Sequence, residues 1–193
     1  MNWLPFLSYV LVSTFTPGPN NISSMSNAGR YGFGASLRYR LGIFCGFFAV
    51  QLLAALFSAT LLDYIPAAQP YMLALGAAYI LWMAWKTLTS RSGGEETSAA
   101  DNAFLSGMLL QFVNVKIMVY GMTAYSAFIL PYHDSIVALL AGMCFLTMMG
   151  SLGTVVWAVA GASLQRVFQR HACVVNGLLG AMLVGCAWSL LDQ

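Results

Sequence analysis

Two groups of residues in this chain have the types to handle a polar cargo, and each lies inside apolar sequence. The first is Thr16-Pro17-Gly18-Pro19-Asn20-Asn21, within the first apolar stretch. Its prolines remove two N–H donors and bias the residues before them away from helix, while Gly18 lets the chain turn. The second is Gln111-Phe112-Val113-Asn114-Val115-Lys116, followed by Tyr120, in the fourth apolar stretch. A lysine near the middle of a spanning helix costs about 2.5 to 3.5 kcal/mol on insertion scales, so it is rare without a partner or a wet cavity. Backbone freed by a broken helix is tolerated at membrane depth only where it faces protein or water. Thr16, Pro17, Gly18, Pro19, Asn20, Asn21, Gln111, Asn114, Lys116 and Tyr120 are therefore the candidate substrate-binding residues, with Lys116 also the candidate coupling group.

Apolar helices must position these groups. The 193 residues are 60% hydrophobic and 7% charged, with a mean hydropathy of +0.76, against about 25% charged in an average soluble domain. At about 20 residues per crossing, six spans are expected, roughly 4 to 26, 41 to 62, 70 to 89, 104 to 130, 135 to 161 and 172 to 191. Runs such as Leu52-Leu53-Ala54-Ala55-Leu56-Phe57 do not alternate as barrel strands do. The first span lacks a basic leader and a small-residue cleavage pattern, so it is expected to stay in the mature chain.

Arg30, Arg38 and Arg40 fall after span one, Lys86 and Arg91 after span three, and Arg166 and Arg170 after span five. The positive-inside rule puts those loops in the cytoplasm and both termini outside, in the periplasm. A Gly/Ser/Glu-rich linker, 91–102, separates three spans from three. The expected fold is an all-α membrane protein, a single transmembrane domain over 1–193. Its six helices form two inverted three-helix repeats, about 1–90 and 103–193, with helix 1 broken at Pro17-Gly18-Pro19. An offset of 97 residues lays Pro17 on Asn114 and Gly18 on Val115, which brings the two polar groups together near the midplane. In that place Lys116 either serves the cargo or caps carbonyls freed by the break.

Other classes find little support. Seven of the eight basic residues are topology signals, so no nucleic-acid partner is expected. No Ser/His, paired-Asp or metal-ligand constellation appears within a span, which argues against an intramembrane hydrolase and a metal exporter; no cofactor and no metal are expected. Spans one and four carry no cysteine, unlike a redox carrier. Cys45, Cys144, Cys173 and Cys186 read as small packing residues. Gln51 and Asn176 either line the cavity or bond between helices, Trp157 either packs or lines the path, and Gly42-x-x-x-Gly46 is expected to be a close helix contact. His133, His171, Trp3, Trp82, Trp85 and Trp188 read as interfacial.

The two polar groups carry a resemblance. Thr16-Pro17-Gly18-Pro19-Asn20 matches the hallmark of the LysE/RhtB superfamily of amino-acid exporters, and Asn114-Val115-Lys116 resembles its Asn-Pro-Lys motif with Val115 in place of proline. The likeness covers essentially the whole chain. Gly76-Ala77-Ala78-Tyr79-Ile80, Ala84-Trp85-Lys86 and Leu110 to Ile117 are most similar to members that handle cysteine and O-acetylserine. The resemblance implies a bacterial inner-membrane exporter of small neutral amino acids, not an enzyme. A sister exporter for homoserine, threonine or leucine is the alternative within the class, and a channel or accessory membrane protein the alternative outside it. The partners expected are an amino-acid substrate, membrane lipid and protons as coupling ion; a homo-oligomer is compatible with the sequence. For a zwitterion, the half-helix after Pro19 offers free N–H groups to the carboxylate, and the carbonyls of Ser13 to Thr16 offer acceptors to the ammonium. With no Asp or Glu mid-span, Lys116 is expected either to pair with the carboxylate or to cycle a proton.

Overall fold

The computed structural model describes residues 3–89, 103–133 and 135–191, and these are almost wholly helical. In chain order they form α1 (Trp3–Phe15), α2 (Pro19–Tyr31), α3 (Leu37–Thr89), α4 (Ala103–Val113) and α5 (Val115–Thr123). A π-helical stretch, Ala124–Ile129, continues α5, and α6 (Ile136–Ser163), a short α7 (Gln165–Arg170) and α8 (Ala172–Leu191) follow. The linker 91–102, with Arg91, and Asp134 lie outside the described residues.

Local chemistry sets the ends near the site. α2 starts on Pro19, whose missing N–H falls where a helix has no acceptor for it, and Gly18 before it is extended at φ −172° and ψ 171°. Gly32, at φ +88°, stops α2 and returns its N–H to the Ala28 carbonyl, a left-handed turn that a side chain would strain. Ser135 opens α6 by accepting from the Ala138 N–H at 3.3 Å.

Spans two and three were expected as separate helices, yet the helical backbone runs without interruption from Leu37 to Thr89, through Pro66 and Pro70. It is no straight rod. Gly42 packs on the Phe104 carbonyl and the Tyr79 hydroxyl donates to the Ser106 carbonyl at 3.3 Å, whereas 37 residues of straight helix would separate them by about 55 Å. The chain turns back between these two stretches, so α3 supplies two arms to the bundle. By length and composition, two helices qualify as membrane spans, Leu37–Leu56 and Ile136–Ser163, and the pair Ala103–Val113 with Val115–Ile129, bent by 57°, makes a third.

Small residues let the helices close on one another. Gly42 meets Phe104, Gly46 meets Met108 and Gly107 meets the Tyr39 carbonyl, so α3 and α4 touch nearly backbone to backbone. Gly42-x-x-x-Gly46 is the contact its spacing predicts. One buried cluster joins α1, α3, α5 and α6 around Phe6, Phe47, Tyr120, Tyr125 and Leu146. A second joins α2, α3 and α8 around Ile22, Ile80, Leu179 and Leu183. Arg30 ties these elements at the end of α2, donating to the Thr87 carbonyl at 3.0 Å and to Asn176 Oδ1 at 2.8 Å. Asn176 thus joins helices.

Outward faces are apolar: Leu4, Trp3, Val137, Met148 and Trp188 are exposed, far more apolar surface than a soluble monomer leaves bare. Such an exterior suits a protein that sits in a membrane. Three of the cysteines belong to this exterior, which corrects their reading as packing residues: Cys45, Cys144 and Cys173 are exposed. Cys186 is half-buried and packs against the second cluster, as read, and all four are free thiols. A thiol behaves as a small apolar group and is as comfortable against acyl chains as in a core. Trp82 and Trp85 are exposed like Trp3 and Trp188.

Candidate functional site

The two breaks meet. Lys116 Nζ donates to the Thr16 carbonyl and to Thr16 Oγ1, both at 3.1 Å, and reaches the Pro17 carbonyl at 3.4 Å. Its stem and ammonium cross Gly18, where an added Cβ would lie 3.0 Å from Cδ and from Nζ. Glycine keeps that crossing free of a tight contact. In the reverse direction, Asn20 of α2 reaches the second break: its Nδ2 donates to Gln111 Oε1 at 2.8 Å, and its Oδ1 accepts from Gln111 Nε2 at 3.1 Å and from Asn114 Nδ2 at 3.0 Å. All three amides are buried.

The carbonyl end of α1 is fully engaged by this chain. Asn21 Nδ2 donates to the Thr14 and Thr16 carbonyls at 2.8 and 2.9 Å, and Trp157 Nε1 of α6 to the Phe15 carbonyl at 3.2 Å. Thr16 Oγ1 reaches the Ser13 carbonyl at 3.4 Å. Internal donors thus reach the same carbonyls, Ser13 to Thr16, that were expected to receive a substrate ammonium. Lys116 caps the freed carbonyls, and its cation meets the partial negative charge of the α1 C-terminus. Trp157 is a cap as well.

The positive ends stay open. Gly18 and Asn114 are the N-cap residues of α2 and α5, neither with a side-chain cap, so the first N–H groups of both helices have no intrahelical acceptor. Asn114 breaks its helix at φ −88° and ψ 90° without any proline. Two adjoining cavities lie here. The smaller, about 40 Å³, is lined by Thr14, Asn20, Asn114, Ile117, Tyr120 and Gly150, among others. The larger, about 510 Å³, is bounded by Tyr9, Ile80, Val119, Met182 and Cys186, among others. Gly18, Pro19, Asn114, Lys116 and Tyr120 border both.

Every candidate residue lies at this junction, with Thr16 and Gln111 behind it as bonding partners of Lys116 and Asn20. Gln51 does not line either cavity; it is buried and donates to the Ile117 carbonyl at 3.3 Å. Sequence reasoning missed Thr14, Phe47, Gly150, Met182 and Cys186 as lining. Threonine, phenylalanine and glycine are ordinary in membrane helices, so only Thr14, one turn before the break, offered any signal.

A helical bundle with an apolar exterior, two broken helices and a polar cavity at their junction has the build of a membrane transport protein. The chain belongs to the LysE type translocator family, whose model matches residues 11–193. It is thus a bacterial inner-membrane transporter. Over 182 residues it is 41% identical to the Cysteine/O-acetylserine efflux proteins of Escherichia coli (strain K12), Escherichia coli O9:H4 (strain HS) and Shigella flexneri serotype 5b (strain 8401), each match covering 94% of this chain and 93% of the relative. No solved structure matches the chain.

Proposed function

We propose that this protein exports small neutral amino acids, cysteine and O-acetylserine foremost, from the cytoplasm. The cargo crosses by alternating access at the junction of two three-helix halves, 1–90 and 103–193, with both termini periplasmic and lipid around the outward faces. The observation that carries the reading is Lys116 Nζ at 3.1 Å from the Thr16 carbonyl, one half's cation closing the other half's break beside a cavity. The 41% identity to efflux proteins supports the substrate class. In this reading the six spans are α1 with α2, the two arms of α3, α4 through the π-helical stretch, α6 and α8.

The N-terminal ends of α2 and α5 draw in the carboxylate of a zwitterion, through unpaired N–H groups and helix dipoles. Lys116 is the coupling group. A carboxylate arriving beside it competes with the Thr16 and Pro17 carbonyls, so loading loosens the tie between halves and permits them to rock. A proton exchanged at Lys116 couples the step to the membrane gradient.

The test is extracellular accumulation of a panel of amino acids from cells overproducing the protein. Cysteine and O-acetylserine are the products expected. Accumulation of homoserine, threonine or leucine instead would move the substrate within the class, and accumulation of none would overturn export.

A further inference from the structure

The small cavity holds polar groups that nothing in the protein satisfies. Asn114 Oδ1, Thr14 Oγ1 and Tyr120 Oη are buried and make no hydrogen bond, and all three residues line that one pocket. Each is more than nine-tenths buried, at 2%, 6% and 5% exposure. The hydroxyls of Thr14 and Tyr120 lie near each other without closing a bond. The amide network fixes which end of Asn114 is left unpaired beside the pocket. Asn20 Oδ1 is the acceptor for Asn114 Nδ2, so the Asn114 oxygen is the free end. An orphaned buried polar atom ordinarily costs about 1–3 kcal/mol. Three around one space point to a ligand that supplies donors.

We infer that Asn114 Oδ1, Thr14 Oγ1 and Tyr120 Oη form the subsite for the α-ammonium of the transported amino acid. An ammonium has three N–H donors and no acceptor, matching one amide oxygen and two hydroxyls free to turn their lone pairs inward. The pocket, about 40 Å³, has room for a group of that size. The carboxylate then lies at the open N-terminal ends of α2 and α5 beside Lys116. The side chain projects into the larger cavity, where Ile80, Met182 and Cys186 present an apolar, polarizable wall suited to a thiol or an acetyl group. The free amine is thereby required, and side-chain length is tolerated. This assignment rests on the amino-acid export reading and specifies its geometry.

Thr14→Val and Tyr120→Phe remove the hydroxyls at nearly constant shape. If the hydroxyls are only structural, removing unsatisfied groups leaves stability and transport unchanged or improved. As an ammonium subsite, each variant keeps or gains thermal stability in detergent while the KM for radiolabelled cysteine in proteoliposomes rises about ten-fold or more, the equivalent of a lost charge-assisted hydrogen bond. In wild type, N-acetylcysteine and 3-mercaptopropionate, whose amine is blocked or absent, fail to compete, whereas S-methylcysteine competes. In the double variant, cysteine loses most of its advantage over 3-mercaptopropionate. Cysteine transport with equal competition by N-acetylcysteine, or with an unchanged KM in both variants, overturns the subsite and leaves export standing. A wild-type protein that transports no amino acid overturns the export reading and the subsite with it.

Discussion

The break at Pro17-Gly18-Pro19 and the break at Asn114 produce the same kind of joint by different means. The first is covalently imposed: two prolines cannot complete the helix, and α1 ends whatever surrounds it. The second has no proline. Asn114 leaves the helix because its amide is held by Asn20, which also holds Gln111, and the 57° bend follows. Each break is completed by the other half, Lys116 closing the first and Asn20 steadying the second. A forced break supplies the template, and an unforced one is shaped on it.

The sharpest way to break this pairing is Lys116→Met. It strips the Thr16 and Pro17 carbonyls of their cation, a loss of about 3 kcal/mol or more for two charge-assisted bonds, and export in a variant that still inserts should fall to background. Unchanged export with an unchanged pH dependence would remove Lys116 from coupling. Asn20→Ala comes next, because it leaves Gln111 and Asn114 underbonded in a buried site. A loss of about 2–3 kcal/mol is expected, read as a lower melting temperature in detergent. Gly18→Ala pushes a methyl against the Lys116 stem. The flexible end of that side chain yields, so the cost should be about 1–2 kcal/mol, seen as a several-fold slower export at normal protein levels. The mildest change, Val115→Pro, sharpens the comparison by giving the second break a proline at the first position of α5, where its N–H has no acceptor. Stability should hold, or rise by about 0.4–1 kcal/mol. Collapse of the fold would mean that Val115 needs its N–H or its packing against Ile22 and Ile80.

The first break and the polar cluster around the second were legible in the sequence because prolines and a lysine are conspicuous in apolar helices. The three-plus-three order of the spans joined them, and Gly42-x-x-x-Gly46 read correctly as a helix contact. What could not be read depends on partners far away in the chain. Val115 gives no sign that Asn114 will bend its helix, because the cause is Asn20. The caps on α1 escaped notice because nothing local says that Asn21 folds back or that Trp157, 142 residues from Phe15, turns its indole N–H toward it. The span lengths suggested a break between spans two and three, yet the backbone there stays helical while reversing. Cysteine's tolerance for both core and surface misdirected the reading of Cys45, Cys144 and Cys173.

Asn21 carries a mechanical consequence. Its single amide nitrogen bonds the Thr14 and Thr16 carbonyls across the break from its own helix. α1 and α2 cannot swing apart without severing both contacts in a site where water is scarce. The proline-marked kink is therefore an elbow braced by its own second arm.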